Sequence, residues 1–303
     1  MLWEIPKLGK LWQYDRLQDG VKMKKYLTAL LLILGFATTS FAQHIRFVPG
    51  QTELDGELQI AVTEFSTPDG AKVTLYGVVH IADPAYYQQV QQELDQFDIV
   101  LYEGIKNGAV VNPETKILNL VQKGMGKLLG LTFQKDGIDY TRPNLVHADI
   151  SADELQESMG DQKLTPFGNM PEETQEQLAP LLETVGGLLD QFLGQSTELQ
   201  SMLKARMGQQ IAGADFSTTL PPQMYQSIVV QRNQIVMDVL ATQRNEQPEK
   251  KNIAIFYGAG HMDEFVERFE ALGYTQTSQR WMTAWKVGNG AAEIPEEAPE
   301  EPR

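Results

Sequence analysis

Two of the four histidines in this sequence share a motif in which a glycine stands three positions before the histidine. They are His80 in Gly77-Val78-Val79-His80 and His261 in Gly258-Ala259-Gly260-His261. Each motif ends a short apolar, β-branched or aromatic run, which predicts a strand. A glycine where a strand turns into a loop tolerates positive φ or close backbone approach. We therefore expect each turn to present an imidazole above a strand end, although either motif alone also fits a capped helix start with a hydrogen-bonded histidine.

A carboxylate stands at the end of a third predicted strand, where Glu103 follows Ile99-Val100-Leu101-Tyr102. Ligands of open α/β sheets bind at the carboxyl ends of the strands, so Glu103 is expected beside His80 and His261. Two neutral imidazoles and one carboxylate form a ligand set common for zinc, manganese or cobalt. Water bound to such a divalent metal can supply hydroxide near neutral pH. The residue types indicate a metal-dependent hydrolase centre; the alternative is that Glu103 caps the following loop.

Arg232 is the candidate cation partner of Glu103, or a group that stabilises an oxyanion. On the helix predicted over 222–242 it falls in the same apolar stripe as Ile228 and Ile235. A buried guanidinium requires an acidic partner or an anionic ligand, so a structural ion pair with a core carboxylate is the alternative. The adjacent Asn233 is expected either to hydrogen-bond the same site or to face solvent.

His147 and Asp149 form a third group at a predicted strand end. Two residues apart, they point to the same face if the strand continues, so they could orient one another or support the metal ligands from behind. The segment also resembles a helix entry, with Ser151 as the cap and Glu154 three residues later. A structural role is favoured for Asp149, and both interpretations stay open for His147.

The ordered motifs resemble those of a known family. Gly77-Val78-Val79-His80, Leu101-Tyr102-Glu103-Gly104, Arg232-Asn233 and Gly258-Ala259-Gly260-His261-Met262 are similar to the TraB/PrgY/TIKI (GumN-like) superfamily. The resemblance covers most of the chain from about position 73 to 287. It implies an α/β fold with an EreA/ChaN-like core sheet and helical additions. It also implies that His80, Glu103 and His261 are metal and catalytic residues, that Arg232 supports them, and that the metal is manganese or cobalt as in the TIKI peptidases.

Three functions follow from these expectations. The leading one is an exported metal-dependent hydrolase, specifically a peptidase, in which His80, His261 and Glu103 hold or activate the metal-bound water and Arg232 stabilises the developing oxyanion. A non-catalytic periplasmic protein that binds a peptide, a signal molecule or haem is the second. An esterase acting on a small ester or lactone is the third. The sequence gives no indication of the oligomeric state.

The elements that must position these residues follow an α/β pattern. Strands are predicted over 58–65, 73–79, 99–102, 145–146, 253–257 and 281–287, and a helix is predicted to begin at Asp83-Pro84 with a cap and a proline at its first position. A strand, turn, helix and strand occur in the same order around each Gly-x-x-His motif, as a weak repeat. Residues 152–247 are interpreted as a helical insertion, with one helical face over Leu178 to Phe192. The predicted fold is a single domain over 43–290.

The N-terminal region predicts export. Residues 24–25 supply positive charge, 27–36 are apolar, and 38–42 contain the small residues that a signal peptidase requires. Cleavage is expected between Ala42 and Gln43, giving a periplasmic or secreted protein, and 1–22 is an extension before the signal. The apolar run is about half the roughly 20 residues that a helix needs to cross a bilayer, so no stable membrane span is expected.

Composition narrows the partners. Residues 1–42 carry six Lys and Arg and three Asp and Glu, so subtracting their +3 from the total of −15 leaves −18 on the remainder. This charge disfavours nucleic acid, and a peptide or small molecule is the expected substrate. Cysteine is absent, which excludes thiol nucleophiles, disulfides and cysteine–zinc sites. Residues 291–303 are rich in Glu and Pro and are predicted to be a disordered acidic tail.

Overall fold

The structure is a computed structural model that describes residues 44–52, 54–106, 113–163, 187 and 196–288. The predicted signal peptide, the predicted acidic tail and nearly all of the helical face over Leu178 to Phe192 lie outside the described residues. Within the described ranges, no helix combines the length and the apolar character that crossing a membrane requires.

A mixed seven-stranded sheet with helices on both faces forms the fold, which confirms the α/β class. Its strands are β1 Ile45–Pro49, β2 Gly56–Ser66, β3 Lys72–Val78, β5 Ile99–Tyr102, β7 Leu145–His147, β8 Asn252–Gly258 and β9 Thr275–Val287. The order is β1-β2-β3-β8-β5-β7, with β9 also paired to β2. Two short strands, β4 Ile81–Ala82 and β6 Thr132–Phe133, pair separately and antiparallel.

The four strands β3, β8, β5 and β7 run parallel, so their carboxyl ends meet at one edge of the sheet. In the register of β3 and β8, Val78 lies opposite Gly258, which places the two Gly-x-x-His turns side by side. Tyr102 lies opposite Phe256 on one neighbouring strand and His147 on the other. The topology therefore brings all the predicted site residues that follow strands to one edge.

The helices cover both faces of the sheet. They are α1 Pro84–Leu94, α2 Pro113–Leu129, α3 Gln134–Gly137, α4 Ala152–Met159, α5 Thr197–Ala212, α6 Phe216–Thr219, α7 Pro222–Tyr225, α8 Gln231–Glu246 and α9 Met262–Ala271. Side chains of α1, α2 and α5 pack on one face with Tyr76, Val78 and Phe256. Side chains of α8 and α9 pack on the other with Leu75 and Ile255. Burial on both faces explains why the inner strands β3, β5 and β8 are largely apolar.

Several elements differ from the sequence-based expectations. Helix α1 begins at Pro84 as predicted, but the Asp83 side chain does not cap it; its carboxylate accepts a hydrogen bond from Lys286 N at 2.9 Å and lies 3.6 Å from Lys204 Nζ. The helix predicted over 222–242 consists of α7, a π-helical segment Gln226–Val230 and α8. The two predicted repeat units also diverge, because β9 pairs antiparallel with β2 whereas β5 joins the parallel strands.

Candidate functional site

The two glycines that begin the Gly-x-x-His motifs are needed for close packing. Neither Gly77 nor Gly258 has a positive φ. A Cβ on Gly77 would come within 3.0 Å of Ile60 Cγ2, and one on Gly258 would come within 3.1 Å of Glu103 Oε2. Of the two uses of glycine that the sequence allowed, the structure shows close approach, and at Gly258 the approaching group is the candidate site carboxylate itself.

Glu103 is held by partners on two other elements. Its Oε2 accepts a hydrogen bond from Gly258 N at 2.6 Å, and its Oε1 accepts one from Arg232 Nη2 at 2.6 Å. Burial raises the pKa of Glu103, but the Arg232 guanidinium and the two site histidines outweigh it and lower the pKa to about 2. Glu103 is therefore ionised at neutral pH, and the hydrogen bonds described place it against the second Gly-x-x-His turn.

Arg232 bridges two carboxylates. In addition to Glu103, it binds Asp149 in a two-pronged manner, through Nε to Oδ1 at 2.8 Å and Nη2 to Oδ2 at 2.7 Å. Burial lowers the pKa of Arg232, but the two carboxylates raise it by more than burial lowers it. The guanidinium therefore stays charged. Its side chain is 4% exposed, as its position in the apolar stripe predicts. The predicted partner Glu103 and a core carboxylate thus share the same guanidinium.

Asp149 and His147 fix the peptide that follows Glu103. The fully buried Asp149 carboxylate accepts from Gly104 N at 2.9 Å and from Ile150 N at 2.8 Å, besides its bonds to Arg232. His147 Nε2 lies 2.5 Å from Gly104 O. The two side chains therefore hold opposite ends of Gly104 in the chain after β5. In the structure both side chains bind Gly104, whereas their spacing in the sequence also allowed a direct contact between His147 and Asp149.

The predicted helix entry after Asp149 is present. Ser151 and Glu154 form a capping box at the start of α4, in which Ser151 Oγ accepts from Glu154 N and the Glu154 carboxylate accepts from Ser151 N. The cap fixes the chain direction immediately after Asp149, so the same short segment starts a helix and supplies a site carboxylate.

His261 is buried and neutral. Its Nδ1 lies 2.7 Å from Asn233 Oδ1, while Asn233 Nδ2 donates to His261 O at 3.0 Å and to Glu264 Oε2 at 2.6 Å. Because the amide nitrogen of Asn233 is the donor, its oxygen is the acceptor, and the proton of the ring lies on Nδ1. Burial lowers the pKa of His261 to about 4. Nε2 consequently carries a lone pair, 3.8 Å from Glu103 Oε1.

His80 lies at the solvent side of the same centre. Its side chain is exposed, and it lies close enough to Glu103 and His261 to influence the pKa of both. Its Nδ1 lies 3.2 Å from Oε1 of Gln134, a buried residue at the start of α3. Sequence reasoning missed Gln134, because it has no motif and is 54 positions from His80.

Two carboxylates, one guanidinium and a neutral imidazole set the charge of this centre. The two carboxylates and one guanidinium leave a net charge of −1 beside neutral His261. In the described parts of the chain, no three His, Asp or Glu side chains are already grouped as metal ligands. Glu103 is instead bound to Arg232 and Gly258 N, and each of its oxygens keeps a lone pair for a further partner.

Comparisons of the chain with protein-family models, with curated proteins and with solved structures found no match.

Proposed function

We propose that this chain is an exported metal-dependent hydrolase, specifically a peptidase, with its centre at His80, Glu103 and His261. One observation carries the proposal: an ionised carboxylate and the lone pair of a buried, neutral imidazole lie 3.8 Å apart at the carboxyl edge of a parallel sheet. Such a pair can ligate a metal or accept a proton from water. The ordered motifs support membership of the TraB/PrgY/TIKI superfamily with an EreA/ChaN-like core.

His80, His261 and Glu103 are the residues that would hold the metal, which we propose to be manganese, cobalt or zinc. When bound, such an ion makes a coordinated water acidic enough to act as a nucleophile near neutral pH. The net negative charge of the centre favours a cation there, and neutral His261 is ready to ligate without first losing a proton.

Around this centre the chain supplies orientation. Asn233 holds the His261 ring by its Nδ1, and Gly258 N with Arg232 holds the two oxygens of Glu103. Arg232 is 4% exposed and donates to two carboxylates, so we assign it the positioning of Glu103 in place of direct contact with an oxyanion. Asp149 and His147 support this arrangement through Gly104, which follows Glu103.

The test uses residues 43–303, purified and treated with a chelator. Titration with Mn²⁺, Co²⁺ and Zn²⁺ in a calorimeter measures metal binding, and a mixed peptide library with a panel of small esters measures hydrolysis. His80→Ala and His261→Ala should lose both metal binding and cleavage. The matched control is His44→Gln, which replaces a buried histidine that has no hydrogen bond to the centre.

Four results would contradict the proposal. Unaltered cleavage after both histidine substitutions would remove the centre from the reaction. Hydrolysis that survives complete removal of metal would leave His261 as a general base without a metal, and cleavage of esters alone would identify an esterase. Saturable binding of a ligand that is lost in His80→Ala, with no turnover of any substrate, would identify a ligand-binding protein.

A further inference from the structure

Gln134 binds His80 through both its backbone and its side chain. Gln134 N donates to His80 O at 2.7 Å, and Gln134 Oε1 lies 3.2 Å from His80 Nδ1. The neighbouring residues are paired as well: Ile81 of β4, which follows His80, lies opposite Phe133 of β6, which precedes Gln134. The pairing of these two short strands thus fixes the position of the Gln134 amide relative to the His80 imidazole.

The structure directs the oxygen of the Gln134 amide, and not its nitrogen, towards His80. Gln134 Nε2 donates to Tyr140 OH at 2.9 Å, and Gln134 as a residue is 5% exposed, so water has little access to its amide. With the nitrogen directed at Tyr140, the oxygen faces His80. An amide oxygen only accepts hydrogen bonds, so the proton of the contact must come from His80 Nδ1.

We propose that Gln134 is a positioning residue that, anchored by Tyr140, selects the Nδ1–H tautomer of His80. The proposal rests on the proposed function of His80 as a site residue, and it says how an exposed imidazole keeps its Nε2 lone pair free for a metal ion or a water proton. Without the amide, a neutral imidazole in solvent exchanges its proton between both nitrogens and rotates about its side-chain bonds, so the ligating form would be populated for part of the time.

The same arrangement, a side-chain amide that accepts a hydrogen bond from Nδ1–H, then occurs at both histidines. Asn233 Oδ1 accepts a hydrogen bond from His261 Nδ1–H, and Gln134 Oε1 accepts one from His80 Nδ1–H. Each amide is itself oriented by a hydrogen bond from its nitrogen, to Glu264 and to Tyr140 respectively. Both histidines are therefore presented through the same nitrogen, although one is buried and the other is exposed.

The direct test is the tautomer of His80 in ¹⁵N-labelled protein without metal or substrate, read from long-range ¹H–¹⁵N couplings in the ring. The wild type is expected to carry the proton on Nδ1. Gln134→Leu should show a mixture of tautomers, and Gln134→Glu, which keeps an acceptor oxygen, should keep a proton on Nδ1. A wild-type His80 protonated on Nε2, or a Gln134→Leu variant with an unchanged tautomer, would overturn the proposal.

A second variant keeps the test decisive if Gln134→Leu fails to fold. Tyr140→Phe removes the hydroxyl that orients the amide and should partly mix the tautomers of His80. Its matched control is Tyr274→Phe, which removes a hydroxyl that accepts one hydrogen bond from Arg244 at 2.9 Å on another part of the molecule. Equal tautomer populations in Tyr140→Phe and wild type would show that Tyr140 does not anchor Gln134.

Function supplies a separate readout. Gln134→Leu is expected to lower metal affinity or turnover by about tenfold to a hundredfold, the usual effect of losing a hydrogen bond to a ligating histidine. The tautomer measurement does not depend on this result. An Nδ1–H wild type that binds no metal and cleaves nothing would refute the proposed function and retain the positioning role, whereas an active enzyme with an Nε2–H His80 would do the reverse.

Discussion

Replacing Arg232 with methionine tests the ion-pair network beneath the centre. Arg232 Nη2 lies 2.6 Å from Glu103 and 2.7 Å from Asp149, whose side chains are 13% and 0% exposed. Methionine fills much of the same volume without charge. Arg232→Met therefore leaves two buried carboxylates next to each other with no cation between them.

The size of the effect can be worked from Glu103. Its pKa falls from the ordinary 4.5 to about 2, which at 1.36 kcal/mol per pH unit contributes about 3 kcal/mol to folding. Because the folded pKa is depressed, this contribution is present above pH 4.5 and is lost as the pH falls towards 2. Without Arg232, burial raises the pKa of Glu103, so we expect Arg232→Met to cost about 3 to 5 kcal/mol at pH 7.

Urea unfolding of the metal-free protein at pH 7 measures this cost. The matched control is Arg244→Met, because Arg244 pairs with the more exposed Asp69, and such a surface pair contributes about 1 kcal/mol or less. Adding Glu103→Gln to Arg232→Met should restore part of the lost stability, since it removes one unpaired charge. The cost of Arg232→Met should also shrink at pH 4.5, because burial raises the pKa of Glu103 in the variant and its protonation removes one unpaired charge. A cost no larger than that of Arg244→Met, or no rescue by Glu103→Gln, would refute the buried ion-pair argument.

Three further predictions concern the surroundings of Glu103. Burial lowers the pKa of His261 from 6.5 to about 4, so its contribution to stability falls as the pH drops from 6.5 towards 4, by about 2 kcal/mol at pH 5. Denaturant titrations without metal should show a shallower dependence in His261→Gln, and equal slopes would contradict the assignment. Gly258→Ala, whose Cβ meets Glu103 at 3.1 Å, should reduce turnover about tenfold to a hundredfold, while Gly104→Ala, with its nearest contact at 3.6 Å, should not. Ser151→Ala should lower the free energy of unfolding by about 1 kcal/mol through loss of the capping box, and an unchanged urea midpoint would count against that cap.

The parallel part of the sheet could be predicted because its strands are buried on both faces. Runs such as Ile253 to Tyr257 are continuously apolar, and the parallel strands begin and end within one residue of the predicted bounds. The first half of β9, Thr275 to Arg280, is polar and exposed, so it lacks any apolar pattern. This segment is a strand because it pairs with β2. A long-range pairing of this kind leaves no pattern in the local sequence.

A site residue could be predicted where the sequence around it restricts what it can do. Arg232 stands out because a guanidinium in an apolar stripe must find a carboxylate. Gln134 gives no such signal, since a single glutamine is compatible with many environments and its partner is 54 positions away. The joint use of Gly104 by Asp149 and His147 was equally hidden, because their short spacing suggested contact with each other while the fold gave them a shared third residue.

The use of amides behind both histidines is consistent with the charge of the centre. The two buried carboxylates of Glu103 and Asp149 and the single guanidinium of Arg232 already have a net charge of −1. A carboxylate behind each imidazole would also fix the Nδ1 proton, but it would add further buried negative charge and favour a protonated, non-ligating ring. An amide oxygen accepts the same proton without a net charge. Asn233 and Gln134 therefore give the orientation that a ligating histidine needs while leaving His261 neutral, with its pKa lowered to about 4 by burial.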